Sequence, residues 1–150
     1  MKRKIIIVLF LICIVSISTN VFQFYKIEQY SNQQKFYTVA VESGFKSFIT
    51  GLDYYDGKTS ALSNESAIKN SVSTISSISN KMLISKYKDN RPLSEMLMYL
   101  DMFFVMESDE YINKNINSIK PQLTNISKNL NDEKAIIELN FVLKKLVSNK

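Results

Sequence analysis

No charged side chain occurs between Lys4 and Lys26, and the 21 residues this leaves, Ile5 to Tyr25, are mostly hydrocarbon. Ile5 to Val15 is unbroken: Ile-Ile-Ile-Val-Leu-Phe-Leu-Ile-Cys-Ile-Val. A helix needs roughly 20 such residues to cross the apolar layer of a bilayer, so the stretch predicts a transmembrane segment. Lys2, Arg3 and Lys4 ahead of it form a cationic head that is retained in the cytoplasm, which sends the rest of the chain outward. Phe22, Phe24 and Tyr25 stand where an interfacial aromatic belt is expected. The reading is therefore a cytoplasmic basic head at 1–4, an anchor in membrane lipid at 5–25, and an extracytoplasmic helical domain at 26–150. That is a single-pass protein of the cell membrane.

The rival reading is a secretory signal that is removed. The apolar core has the length of a signal's central region, and Ser16 and Ser18 supply small residues at −3 and −1 of a cut before Thr19. Against cleavage, no Pro or Gly precedes that point and apolar residues resume behind it. Phe10-Leu11-Ile12 ahead of Cys13 is too bulky for a lipoprotein signal. No Glu follows a small residue inside the run, as a pilin-like start requires. A merely buried helix is the third possibility.

Charge elsewhere is nearly balanced. Of 19 basic residues, 16 lie from Lys26 onward, against 14 acidic ones, and the two signs are interspersed. A nucleic-acid binder carries a basic stripe; none is visible, and no nucleic-acid partner is expected. Cys13 is the sole cysteine, so no disulfide forms within the chain. Abundant Ile, Lys, Asn and Ser hint compositionally at a bacterium of low GC content.

Three glycines and two prolines favour long helices over a turn-rich β fold. Tyr37, Val41, Phe45, Phe48, Leu52 and Tyr55 recur at helical spacing and predict a helix from near Lys26 to Tyr55. It can be continuous with the anchor, with Gly57 as its cap. Gly44, inside it, either weakens it or admits close packing. A second helix is expected from Ser63 as N-cap to Lys86 and Lys88, its face being Ile68, Val72, Ile75, Ile78 and Met82. Serines cover its remainder, which places it on the outside. Asp89-Asn90-Arg91-Pro92 reads as a turn, with Pro92 opening the next helix. In that third helix, 11 of the 14 residues from Leu93 to Met106 are apolar, which suits a central element.

Tyr111, Ile112, Ile116 and Ile119 continue to Pro121, where a break is expected before a short helix through Leu123, Ile126 and Leu130. Asn131 is the expected cap of a last helix with Ile136, Leu139, Leu143 and Leu146 on its face. Heptads do not carry from helix to helix, which disfavours a long coiled coil. The fold class is all-α: a transmembrane signal-anchor helix followed by an antiparallel bundle of four or five helices.

Chemistry is constrained mostly by what is missing. Without histidine there are no His-based triads and no histidine–zinc sites, and no cofactor or metal is expected. Glu107, Asp109 and Glu110 read as a solvated acidic helix end. Asp53-Tyr54-Tyr55-Asp56-Gly57 lacks the alternation of a calcium loop. Gly51 and Gly57-Lys58-Thr59 miss the glycine spacing of a phosphate loop. Ser-x-x-Lys occurs at Ser43/Lys46, Ser66/Lys69 and Ser85/Lys88, no more than chance placement of 19 Ser and 17 Lys gives, and its partner motifs are missing. No catalytic residue is assigned. The set Met96, Met98, Tyr99, Met102, Phe103, Phe104 and Met106 is the candidate apolar contact surface, since methionine-rich faces adapt to varied partners; core packing is the plainer use. The expected function is protein contact with another membrane or envelope protein, as an accessory, sensor-like or immunity-type factor. The alternatives are a carrier of an apolar ligand or lipid, or a secreted helical protein after signal cleavage.

Overall fold

The computed structural model describes residues 2–55 and 61–148. Their regular structure is entirely helical.

The first helix, α1 (Lys2–Gly51), runs 50 residues without interruption, about 75 Å at 1.5 Å per residue. No proline precedes Pro92, and a lone interior glycine costs only about 1 kcal/mol, so nothing divides the apolar stretch from the amphipathic one. A 3-10 turn at Leu52–Tyr55 closes it. The expected cap, Gly57, lies outside the described residues. Gly44 admits close packing: a Cβ there would stand 2.7 Å from Ile78 Cγ1.

Helix α2 (Ala61–Met82) starts ahead of Ser63 and stops short of Lys86 and Lys88, which fall in a hydrogen-bonded turn instead. Its buried face is also rotated in the first half. Ala67 and Ser71 are buried while Ile68 and Val72 are only partly so. Tyr55 explains the difference, because its hydroxyl reaches Ser71 Oγ at 3.3 Å and only small residues admit that ring.

Helix α3 (Arg91–Met106) has Asn90 as N-cap, its Oδ1 accepting from the Leu93 N–H at 3.0 Å. Helix α4 (Asp109–Ile126) contains Pro121, so the expected break there does not occur. Pro121 and Asn117, whose carbonyl loses its helical donor, are both exposed, so the missing hydrogen bond falls on the solvent side of the helix, where it costs least. Ser108 caps α4, accepting from the Tyr111 N–H. Helix α5 (Glu133–Ser148) is capped by Asp132 rather than Asn131, the carboxylate accepting from the Ala135 N–H at 3.1 Å. An anion is favoured at that position by the helix dipole.

One apolar core joins these elements. Val41, Phe45 and Phe48 of α1, Leu52 and Tyr55 of the 3-10 turn, Ile75 and Ile78 of α2, six residues of α3, five of α4 and Ile136, Leu139 and Leu143 of α5 are all buried. At its centre Phe104 meets Phe48 edge-on at 5.9 Å, Phe103 edge-on at 5.3 Å and Tyr55 at 5.6 Å. Such pairs add about 0.5–1.5 kcal/mol each beyond area burial.

Candidate functional site

The apolar N-terminal part of α1 belongs to no part of this core. Every large apolar side chain from Ile5 to Tyr25 stands exposed, Phe10 at 66 % and Val15 at 64 %. Among the described residues this is the one helix long and apolar enough to cross a membrane. Lys26, the first charge after it, holds its ammonium 4.9 Å from the centre of the Phe22 ring, an aromatic–cation pair at the end of the uncharged stretch.

The methionine-rich set on α3 does not share one surface. Met96, Phe103 and Phe104 are buried in the core, Tyr99 and Met102 are half-buried, and Met98 and Met106 are exposed. Val105, outside the set, is exposed beside them at 60 %. Seen down the helix, Met98, Met102 and Val105 recur at intervals of four and three residues and form an outer stripe. Composition alone concealed this split, because a helix apolar on every side gives no clue to which side is covered. Beside the stripe, Ser76 and Ser79 of α2 and Ser94 and Asp101 of α3 line an open cleft floored by Ile75 and Leu97.

None of the Ser-x-x-Lys pairs is assembled as a nucleophile. Ser43 donates to the Ala40 carbonyl, and Lys69 is ion-paired to Glu65 at 2.6 Å. Ser85 is buried, donating to the Met82 carbonyl and accepting from the Tyr87 N–H. Among the described residues no group of three His, Cys, Asp or Glu is placed to hold a metal ion. Asp109 and Glu110 occupy the first turn of α4, where the helix dipole favours them.

A polar cluster missed by motif reading ties α1 to the turn after α2. Tyr87 donates to Glu42 Oε1 at 2.8 Å, the Lys86 ammonium reaches the same oxygen at 3.1 Å, and the Lys86 N–H donates to Thr38 Oγ1. The Tyr87 hydroxyl and then Lys86 hold the Glu42 carboxyl below its ordinary value. Burial and the carboxylate push Tyr87 up, while Glu42 raises Lys86. Deeper in, burial beside Ser71 lifts Tyr55 to about 12. The partners are 45 residues apart in sequence, so no local pattern announces them. This cluster is a structural tie; the first half of α1 and the outer stripe of α3 are exposed apolar surfaces. Comparison with family models, curated proteins and solved structures finds no match for the chain.

Proposed function

We propose that the protein is anchored in the cell membrane by residues 5–25 of α1 and presents its helical body on the extracytoplasmic side, where it works by protein contact without catalysis. The observation that carries this reading is the continuous exposed hydrocarbon of Ile5 to Tyr25. Soluble proteins rarely leave more than a few hundred Å² of contiguous apolar surface uncovered, and a 21-residue cylinder exceeds that several-fold. Lipid is the solvent that suits it.

The body is read as an antiparallel arrangement in which α1 leaves the membrane, α2 returns, α3 leaves, α4 returns and α5 leaves. Ties that support this are Tyr55 to Ser71 and Glu42 to Lys86 between α1 and α2, and Asn90 to the Leu130 carbonyl and Tyr111 to the Leu146 carbonyl at the two ends of α3–α5. The partner is another membrane or envelope protein, met through Met98, Met102 and Met106 with Val105. An accessory, sensor-like or immunity-type role fits an anchored module of this kind. A carrier of apolar ligands is the weaker alternative, since Met96, Phe103 and Phe104 are already enclosed by protein.

A reporter active only outside the cytoplasm, fused after Lys150, together with alkaline extraction of membranes, tests the reading. Reporter activity and retention in the pellet are expected. Full-length chain in the soluble fraction would overturn it, and a mature N-terminus at Thr19 would replace the anchor with a cleaved signal.

A further inference from the structure

Between the uncharged stretch and the body, α1 carries a second apolar stripe that its own chain leaves open. Phe22, Tyr25, Gln29, Asn32, Phe36 and Val39 recur at spacings of 3, 4, 3, 4 and 3, the a/d seam of a heptad. Asn32, Phe36 and Val39 each precede a core residue, Val41, Phe45 or Phe48, by nine positions. Nine positions are about two and a half turns, so the stripe lies on the side of the helix opposite the core. The structure agrees: Phe22, Tyr25, Phe36 and Val39 are 58 to 69 % exposed. A shallow trough runs between Tyr25 and Phe36 over Gln29, Asn32 and Gln33, spaced as knobs and a hole are.

We infer that this stripe pairs in parallel, in register, with the same stripe of a second copy of the chain. The inference rests on the anchored reading above, because a common span direction is what makes all copies parallel. Three observations favour a second copy over another occupant. First, area: an aromatic ring offers ~150–250 Å², so at these exposures the three rings and Val39 of two copies can cover up to about 900 Å², the share of Phe22 and Tyr25 coming from the membrane interface and that of Phe36 and Val39 from water. Gln29, Asn32 and Gln33 carry that to the ~1,200 Å² at which specific interfaces begin. Second, self-complementarity: in register, Gln29 faces Gln29 and Asn32 faces Asn32, and an amide is both donor and acceptor. Polar residues at seam positions set register and strand number. Third, charge: flanking Glu28 would meet Gln33 of the other copy, and Lys35 would meet Ala40, so no like charges are brought together. Beyond Val39 the same face turns polar at Ser43 and Lys46, which ends the pairing where the body begins.

Disulfide cross-linking of the full-length protein in native membranes tests this. The single cysteine is first removed as Cys13→Ala, and single cysteines are then placed by Asn32→Cys and Val39→Cys on the stripe and Ile27→Cys on the opposite face. Rates are normalised to labelling by a water-soluble maleimide. The two stripe variants should form an adduct of twice the chain mass at least tenfold faster than Ile27→Cys. Adding Phe36→Asp to Asn32→Cys should lower that rate at least tenfold. Equal rates on both faces overturn the pairing, as does an adduct of any other mass. So does shielding of both stripe cysteines from the maleimide without cross-linking, which assigns the stripe to a lipid surface. Fractionating the same samples separates the two readings: recovery in the soluble fraction defeats the anchor alone, and the face dependence still decides the pairing.

Discussion

Two stretches of the chain meet opposite fates: 16 of the 21 residues from Ile5 to Tyr25 are apolar, against 5 of the 12 from Val41 to Leu52. From Ile5 to Tyr25 the hydrocarbon points in every direction and stands exposed; from Val41 to Leu52 it is gathered on one face, with Val41, Phe45, Phe48 and Leu52 buried and Ile49 partly so. They differ in amount and, more decisively, in angular distribution. A helix apolar all round suits a uniform apolar solvent, and one with a single stripe suits a core on one side and water on the other. If the first half lies in lipid, as proposed, one unbroken helix serves two solvents, and a substitution in either half should act only there.

The largest separation is expected from Phe104→Ala. It removes a ring packed against Phe48, Tyr55 and Phe103, and such truncations cost about 3–5 kcal/mol. Thermal unfolding followed by circular dichroism should show a large loss in midpoint, while alkaline extraction still leaves the chain in the membrane. If the variant were also released from membranes, the two halves would not be independent.

Leu11→Arg is the converse. A central arginine disfavours insertion by about 2.5–3.5 kcal/mol, so the pelleted fraction should fall sharply. The unfolding midpoint of the body, measured in detergent, should not move. A shifted midpoint would show that the first half of α1 touches the body.

Gly44→Val probes the border between the halves. The added Cβ would stand 2.7 Å from Ile78 Cγ1, and overpacking of this kind costs about 1–3 kcal/mol. The unfolding midpoint should drop, with membrane retention unchanged. Gly51→Ala, where a Cβ meets nothing within 4 Å, should be neutral or slightly stabilising.

Sequence reading succeeded where periodicity is strong and failed where a distant contact decides. Val41, Phe45, Phe48 and Leu52, like Ile112, Ile116, Ile119 and Leu123, lie at helical spacing and are buried as read. Periodicity points to Ile68 and Val72, whereas Ala67 and Ser71 are the more deeply buried; the partner of Ser71, Tyr55, lies outside any local window. Pro121 suggests a break in sequence, but its exposure, a tertiary property, makes it tolerable inside α4. The stripe at Phe22 to Val39 is interrupted by two amides, and it becomes visible only once the core has fixed which side of α1 is free. The Met and aromatic residues of α3 were legible as a group, but their division between core and surface was not.

The smallest effect concerns the polar tie between α1 and the turn after α2. Tyr87→Phe removes the hydroxyl that donates to Glu42, the main reason the Glu42 carboxyl sits below its ordinary 4.5. A carboxyl depressed in the folded state lends stability that is present above its unfolded value and lost as pH falls through the folded one. Wild type should therefore lose stability on acidification below about 4.5, and Tyr87→Phe should flatten that limb of the curve. At the alkaline end Tyr87 and Lys86 are both raised. Their contribution is present below their ordinary values of 10.0 and 10.5 and lost as pH rises through the folded ones. Tyr87→Phe should remove the tyrosine part of that loss. At neutral pH the change should cost about 1 kcal/mol, the usual worth of one hydrogen bond, because the Lys86 pair alone is half exposed and contributes little. Lys86→Met should accordingly cost less than Tyr87→Phe; if it cost more, the ion pair rather than the hydroxyl would be what holds α1 to the body.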